Sequence, residues 1–164
     1  MVGVFFLIAL FSDIISVSIT NSRWIMILDI LSGITIMGVG FSIFPILKSY
    51  NQTLGVGYTG IRIIEGLFFI VMALFFISKS TTFIDFIYVY LFCMGALILY
   101  YSLYQSRLVP RFISVWGILA IIILLILNSL GILGSGSTIT ILLALPVALN
   151  EFFLAFWLIF KGFN

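Results

Sequence analysis

The stretch GYTGIRIIEG, residues 57–66, opens an apolar run that continues to Ile77 and places two charges inside it. An arginine near the middle of a membrane helix costs roughly 2.5–3.5 kcal/mol on insertion scales, so it needs a partner, a water-filled cavity or a ligand. Tyr58, Arg62 and Glu65 recur at spacings of four and three, which puts them on one helical face. The sequence therefore predicts an Arg62–Glu65 pair inside a membrane helix. Three glycines predict close approach of a second backbone: Gly57, Gly60 and Gly66.

The composition assigns the chain to the membrane proteins. Of its 164 residues, 64% are hydrophobic and 7% are charged, with a mean hydropathy of +1.41. A soluble domain carries about 25% charged residues, so a water-facing surface cannot be built from this chain. The net charge of +2 is small and scattered, and we expect membrane lipids, not nucleic acid, as partners. The lack of histidine and the single cysteine remove the usual zinc sites and histidine catalysis. We expect no metal, no cofactor and no catalytic residue.

Six apolar segments lie between polar breaks, and each is long enough to cross about 30 Å of hydrocarbon. The predicted helices span residues 1–20, 24–47, 57–77, 83–104, 112–133 and 139–160. The loops between them are short, so consecutive helices are expected to run antiparallel as neighbours. The first segment is interrupted by Asp13 and lacks a basic start, which favours a retained helix over a signal peptide. The prediction is an all-α membrane protein: one domain over 1–164, a bundle of six transmembrane helices.

The basic residues predict the orientation of these six spans. An even number of spans puts both termini on one side of the membrane, together with Lys48, Arg107, Arg111 and Lys161, whereas two basic residues fall opposite. The positive-inside rule then predicts a multi-pass protein of the cell membrane with cytoplasmic termini. Four aromatic residues are predicted to form a belt at that interface: Tyr100, Tyr101, Tyr104 and Trp116.

Three stretches carry a family resemblance. They are FPILK at 44–48 with LGVGYTGIRIIEG at 54–66, then LYYSLYQSRLVPRFISVWG at 99–117, and LPVALNE at 145–151 ending in WLIFKGF at 157–163. In order and spacing they resemble the domain of unknown function 4386 family of small prokaryotic polytopic membrane proteins. The resemblance runs from about Phe41 onward. It implies a polytopic membrane fold and brings no established activity.

A partner for Arg62 and Glu65 is predicted in the last helix. Glu151 follows Asn150 and lies one turn after Pro146. Counted from the proposed cytoplasmic side, Glu65 lies about 12 Å beyond Gly57 and Glu151 about 15 Å before Lys161, which are similar depths. Pro146 frees a backbone carbonyl one turn earlier, and a proline-broken helix that carries such residues is a plausible ligand-binding element. The predicted ligand site comprises Arg62, Glu65, Asn150, Glu151 and Tyr58.

A second polar pair lies toward the opposite side. Asp13 is about 10 Å from the end of its helix and Asp29 about 8 Å beyond Trp24. Two carboxylates at similar depth can hold a cation or share a proton. The alternative is that Asp29 reaches the interface.

Three functions remain open from the residues. The first is a membrane protein of uncharacterised function that binds or passes a small ligand or ion at a polar intramembrane pocket. The second is a structural or accessory subunit whose buried charges lock helices together. The third is an intramembrane lipid-modifying enzyme with Glu65 or Glu151 as base, which is less favoured because histidine and a second cysteine are lacking.

Overall fold

The computed structural model describes residues 2–18, 22–75, 82–131 and 138–163, with side chains for all of these except 13, 16–18, 22, 82–86, 138–141 and 143. The described chain is helical, without a strand, and has six helices. They are α1 (Val2–Ser18), α2 (Ser22–Tyr50), α3 (Gln52–Leu74), α4 (Thr82–Ser106), α5 (Arg111–Ser129) and α6 (Thr138–Phe160). The predicted all-α class is therefore confirmed.

The helices form two compact units of three. Unit 1 is Met1–Ser78 and unit 2 is Lys79–Asn164. In unit 1 the central helix α2 packs against both α1 and α3, and in unit 2 α5 packs against both α4 and α6. The prediction of one domain with six membrane-spanning helices stays a prediction.

A single residue separates α2 from α3, which corrects the predicted break at 48–56. The Asn51 side chain accepts hydrogen bonds from the backbone N–H groups of Thr53 (2.9 Å) and Leu54 (3.2 Å). This cap satisfies donors that the first turn of a helix leaves without a partner, so α3 starts at Gln52, five residues before its predicted start. At Gly55 a Cβ would lie 3.0 Å from the Lys48 backbone nitrogen, and its absence lets the turn close.

In unit 2 the helix ends follow from local backbone chemistry. Arg107 ends α4 with a left-handed φ of 55°, and Pro110 directly precedes α5, as its position in the sequence predicts. The end of α5 comes at Ser129, four residues before the predicted end, and Gly131 follows with φ of 69°. In α6 the chain is helical on both sides of Pro146, in agreement with the predicted span 139–160.

Four helices are long and apolar enough to span a membrane within the described residues: Arg23–Tyr50, Gln52–Leu74, Ile87–Ser106 and Arg111–Ser129. Two shorter apolar helical stretches are Val2–Ser12 and Ala144–Phe160. Large apolar side chains are exposed along these helices, up to 78% at Phe160, whereas Asp29, Arg62 and Glu65 are buried. This distribution is the reverse of a water-soluble protein and indicates a membrane protein.

Candidate functional site

Helices α2 and α3 approach each other backbone to backbone at Gly33 and Gly66. A Cβ on Gly33 would lie 2.6 Å from the carbonyl oxygen of Gly66. A Cβ on Gly66 would lie 2.5 Å from the carbonyl oxygen of Gly33. Nearer the turn, a Cβ on Gly40 would meet the Arg62 Cβ at 2.9 Å, and the Thr59 hydroxyl donates to the Gly40 carbonyl at 3.3 Å. The predicted close approach is therefore confirmed at Gly66.

At Gly60 the same prediction is wrong. Apart from Gly60 itself, its two neighbours in the chain and the backbone of its own helix turn, no described atom lies within 4 Å of the position that a Cβ would take there. Gly60 and Gly66 are six residues apart, which places them on different faces of a helix with 3.6 residues per turn.

The predicted charged pair of α3 is formed. Arg62 Nη1 lies 2.8 Å from Glu65 Oε2, and Arg62 Nε donates to the Tyr58 hydroxyl at 3.1 Å. The guanidinium carbon also lies 5.3 Å from the centre of the Tyr58 ring. We call Tyr58, Arg62 and Glu65 the Arg62 cluster. One helical face holds all three residues because their spacings are one turn each.

The Arg62 cluster lies deep in the helix and away from solvent. Arg62 is 4% exposed and Glu65 is 1% exposed. Because α3 starts at Gln52, the pair lies about 15–20 Å from the helix start, close to the middle of the 23 residues and deeper than the predicted 12 Å. The two charges cancel formally. An anion at Arg62 would therefore leave the cluster neutral only if Glu65 took up a proton or a cation at the same time.

The structure describes the side chain of only one member of the predicted pair of Asp13 and Asp29. Asp29 is buried in α2, and the neighbouring Ser32 is buried one turn later. The alternative in which Asp29 reaches the interface stays a prediction. The Asp13 side chain lies outside the described residues, so a joint site of Asp13 and Asp29 stays a prediction.

The remaining predicted site residues lie in unit 2. Asn150 is fully buried near the middle of α6, and Glu151 beside it is half-buried. A contact of these two residues with Arg62 and Glu65 stays a prediction, as does the ligand role of all five.

Around Asn150 the structure brings together residues from three helices. A Cβ on Gly117 of α5 would lie 2.6 Å from Asn150 Nδ2 of α6 and 2.6–2.7 Å from two ring carbons of Tyr100 of α4. The glycine thus makes room for an amide and an aromatic ring at one point. Tyr100 is 1% exposed, which makes its predicted place in an interfacial aromatic belt wrong. The belt fits Tyr101, which is half exposed.

Two further side chains of α5 and α6 have buried polar atoms, the Ser114 hydroxyl and the Trp157 Nε1, and the sequence prediction missed both. Ser114 lies three residues before Gly117 on the same face of α5, and Trp157 lies two turns after Asn150 on α6. We call Ser114, Asn150 and Trp157 the Asn150 cluster. A signal for it was present in the small residues Ser114, Gly117 and Ala120, whose spacing of three marks a face for close helix packing.

Neither cluster has the composition of a metal centre. Among the described residues there is no group of three or more His, Cys, Asp or Glu side chains that could hold a metal ion. The chemistry that these residues offer is ion pairing at Arg62 and neutral hydrogen bonding at Asn150.

Comparisons with known proteins support the family resemblance. The family model described as Domain of unknown function (DUF4386) matches residues 79–162, just over half of the chain and nearly all of unit 2. Of the three stretches that carry the resemblance, 99–117 and almost all of 145–163 fall inside the match. The stretch 44–66 falls outside it, where the resemblance stays a prediction. No curated protein and no solved structure matches the chain. The chain belongs to the family described as Domain of unknown function (DUF4386).

Proposed function

We propose that this protein is a multi-pass protein of the cell membrane with six transmembrane helices and cytoplasmic termini. In this proposal it binds or passes a small ligand or ion at the Arg62 cluster. One observation supports the proposal above others: an arginine and a glutamate are buried as a pair near the middle of a helix that is long enough to span a membrane. Ionisable residues at that depth are expensive and are found mainly along ion and substrate pathways.

In this proposal an incoming ion exchanges with one member of the Arg62–Glu65 pair. Arg62 Nη1 and Glu65 Oε2 are in direct contact at 2.8 Å, so an ion that enters has to compete for one of them. The Tyr58 hydroxyl, 3.1 Å from Arg62 Nε, would hold the guanidinium in place during such an exchange. Tyr58 is therefore proposed as a positioning residue, while Arg62 and Glu65 contact the ion.

Ion binding can be tested on the full chain in detergent micelles. Thermal unfolding is measured against rising concentrations of sodium, potassium, chloride, acetate and inorganic phosphate. We expect at least one ion to raise the unfolding temperature saturably, because a ligand at 100 times its dissociation constant stabilises a protein by about 2.7 kcal/mol. The response should vanish in an Arg62→Met, Glu65→Leu double variant and persist in the control Gly60→Ala. An equal response in the double variant would contradict the proposal.

A structural lock is the second candidate function, and a specific contact favours it. The Arg62 Cβ packs at Gly40 of α2, so the cluster lies within the close α2–α3 contact and can fix its register. Removal of one partner from a buried ion pair costs about 3–5 kcal/mol, whereas replacement of both by apolar residues is often neutral.

The structural lock predicts a specific pattern in the free energies of unfolding. Arg62→Met alone should lower the free energy of unfolding by about 3–5 kcal/mol, and the double variant with Glu65→Leu should regain most of it. SDS titration of the purified protein measures both values. If the wild type shows no saturable ion response and the double variant is as stable as the wild type, the lock is favoured over the ion site.

A further inference from the structure

We propose that the Asn150 cluster is a separate binding site in unit 2 for an uncharged group that both donates and accepts hydrogen bonds, such as the amide or hydroxyl of a small solute. This site does not depend on ion binding at the Arg62 cluster. Its members are neutral side chains on α5 and α6: Ser114, Asn150 and Trp157.

The first observation is the state of the Asn150 amide. Asn150 is 0% exposed, and among the described residues neither Nδ2 nor Oδ1 has a hydrogen-bond partner. A carboxamide offers two donors and two acceptor lone pairs. Buried polar groups in proteins are almost always hydrogen-bonded. We therefore expect a ligand to supply the hydrogen-bond partners that the Asn150 amide lacks.

The second observation is that Ser114 is also unsatisfied. A serine in a membrane helix ordinarily donates to a carbonyl of its own preceding turn. Ser102 does so in α4, where its hydroxyl lies 2.6 Å from the Ile98 carbonyl oxygen. Ser114 is fully buried, and the described residues provide no partner for its hydroxyl. Its donor and acceptor therefore remain available to a bound group.

Trp157 extends the site toward one end of unit 2. Its Nε1 is buried and has no hydrogen-bond partner among the described residues. Along α6, Trp157 lies about 10 Å from Asn150 in the direction of Lys161, whose ammonium lies 4.6 Å from the centre of the Trp157 ring. Trp157 and Asn150 are seven residues apart, so their unsatisfied groups lie on the same face of α6.

The side chains of the cluster indicate an uncharged ligand. Ser114, Asn150 and Trp157 carry no charge, and they supply donors as well as acceptors. The neighbouring Glu151 is half-buried and projects about 100° away around the helix. A charged group at Asn150 would lose its hydration without gaining a counter-charge from the cluster, whereas a neutral amide or hydroxyl would satisfy the buried atoms.

NMR of the full chain in micelles tests the site directly. Selective ¹⁵N labelling of the five asparagines gives five pairs of side-chain amide signals, and Asn150→Ser identifies one pair. Acetamide and ethylene glycol serve as uncharged probes, and sodium acetate and methylammonium chloride serve as charged controls. We expect acetamide or ethylene glycol to shift the Asn150 amide signal saturably and the charged controls to leave it unchanged.

Two serine variants separate binding from general effects. Ser114→Ala should weaken probe binding about five-fold, which corresponds to the loss of one neutral hydrogen bond. Ser102→Ala should leave the affinity unchanged, because that hydroxyl is occupied by its own helix. Thermal unfolding of both variants with each probe gives the same comparison and needs no substitution at Asn150.

Three results would overturn the proposal. The first is the lack of a saturable shift with both uncharged probes. The second is equal weakening by Ser114→Ala and Ser102→Ala. The third is a site that holds water only, seen as contacts between the Asn150 amide protons and water that neither probe displaces.

Discussion

At the scale of single residues, the Arg62 cluster is the part of the molecule that the sequence predicts best. The pairing of Arg62 with Glu65 depends on a spacing of three within one helix, which can be read from the sequence. The Tyr58 hydroxyl adds a hydrogen bond from the other side of the guanidinium at a spacing of four. In a medium without water, each such bond replaces hydration that the arginine has lost.

Loss of the Tyr58 hydroxyl should therefore destabilise the protein. Tyr58→Phe keeps the aromatic ring and removes the acceptor for Arg62 Nε, and we expect the free energy of unfolding to fall by about 1–2 kcal/mol. The matched control is Tyr101→Phe, because the Tyr101 side chain is half exposed. SDS titration measures both variants. Equal stability of Tyr58→Phe and Tyr101→Phe would show that the hydroxyl contributes nothing to the cluster.

At the scale of helices, backbone contact between glycines fixes how α2 and α3 pack. The carbonyl groups of Gly33 and Gly66 occupy the space that a Cβ would need on the facing residue. In lipid the hydrophobic effect does not drive helices together, so close packing at small residues provides much of the attraction. Because Asn51 is the only residue between α2 and α3, the two helices can shift little relative to each other along their axes.

Two alanine substitutions in α3 should consequently have opposite effects. In Gly66→Ala the new Cβ would lie 2.5 Å from the Gly33 carbonyl oxygen, and we expect a loss of about 1–3 kcal/mol or more as the helices separate. In Gly60→Ala the space is open, and alanine is the better helix former by about 1 kcal/mol, so stability should hold or rise. The measurement is again SDS titration. A destabilised Gly60→Ala beside an unaffected Gly66→Ala would refute the described contact.

At the scale of the whole molecule, the sides on which positions 51 and 161 lie report the number of membrane crossings. Four described helices are long and apolar enough to span a membrane, while α1 and α6 contribute shorter apolar stretches. The positions 51 and 161 are exposed and are separated by four helices, α3 to α6. Both positions lie on the same side only if an even number of these helices crosses the membrane.

Cysteine labelling checks this topology. Cys93 is fully buried, so an impermeant maleimide added to intact cells should leave the wild type unlabelled. Asn51→Cys and Lys161→Cys should both be labelled only after the membrane is permeabilised, whereas Arg23→Cys should be labelled from outside. Labelling of Asn51→Cys and Lys161→Cys from opposite sides would rule out six crossings, and labelling of both from outside would reverse the orientation.

The sequence by itself determined the helical class, the rough place of six helices and the Arg62–Glu65 pair. These features follow from hydropathy and from contacts within about one turn of a helix, and both can be read from a linear chain. Helix ends were less accurate where a single side chain decides them. The cap at Asn51 moved the start of α3 by five residues, and α5 ends four residues before its predicted end.

Only the tertiary structure decided which residues meet between helices. It placed Tyr100, Gly117 and Asn150 at one point although they come from α4, α5 and α6, and it left Ser114 buried without a partner among the described residues. It also set Gly66 against α2 and left Gly60 open. Such contacts depend on the rotation and register of packed helices, which many residues set together and which no local spacing specifies.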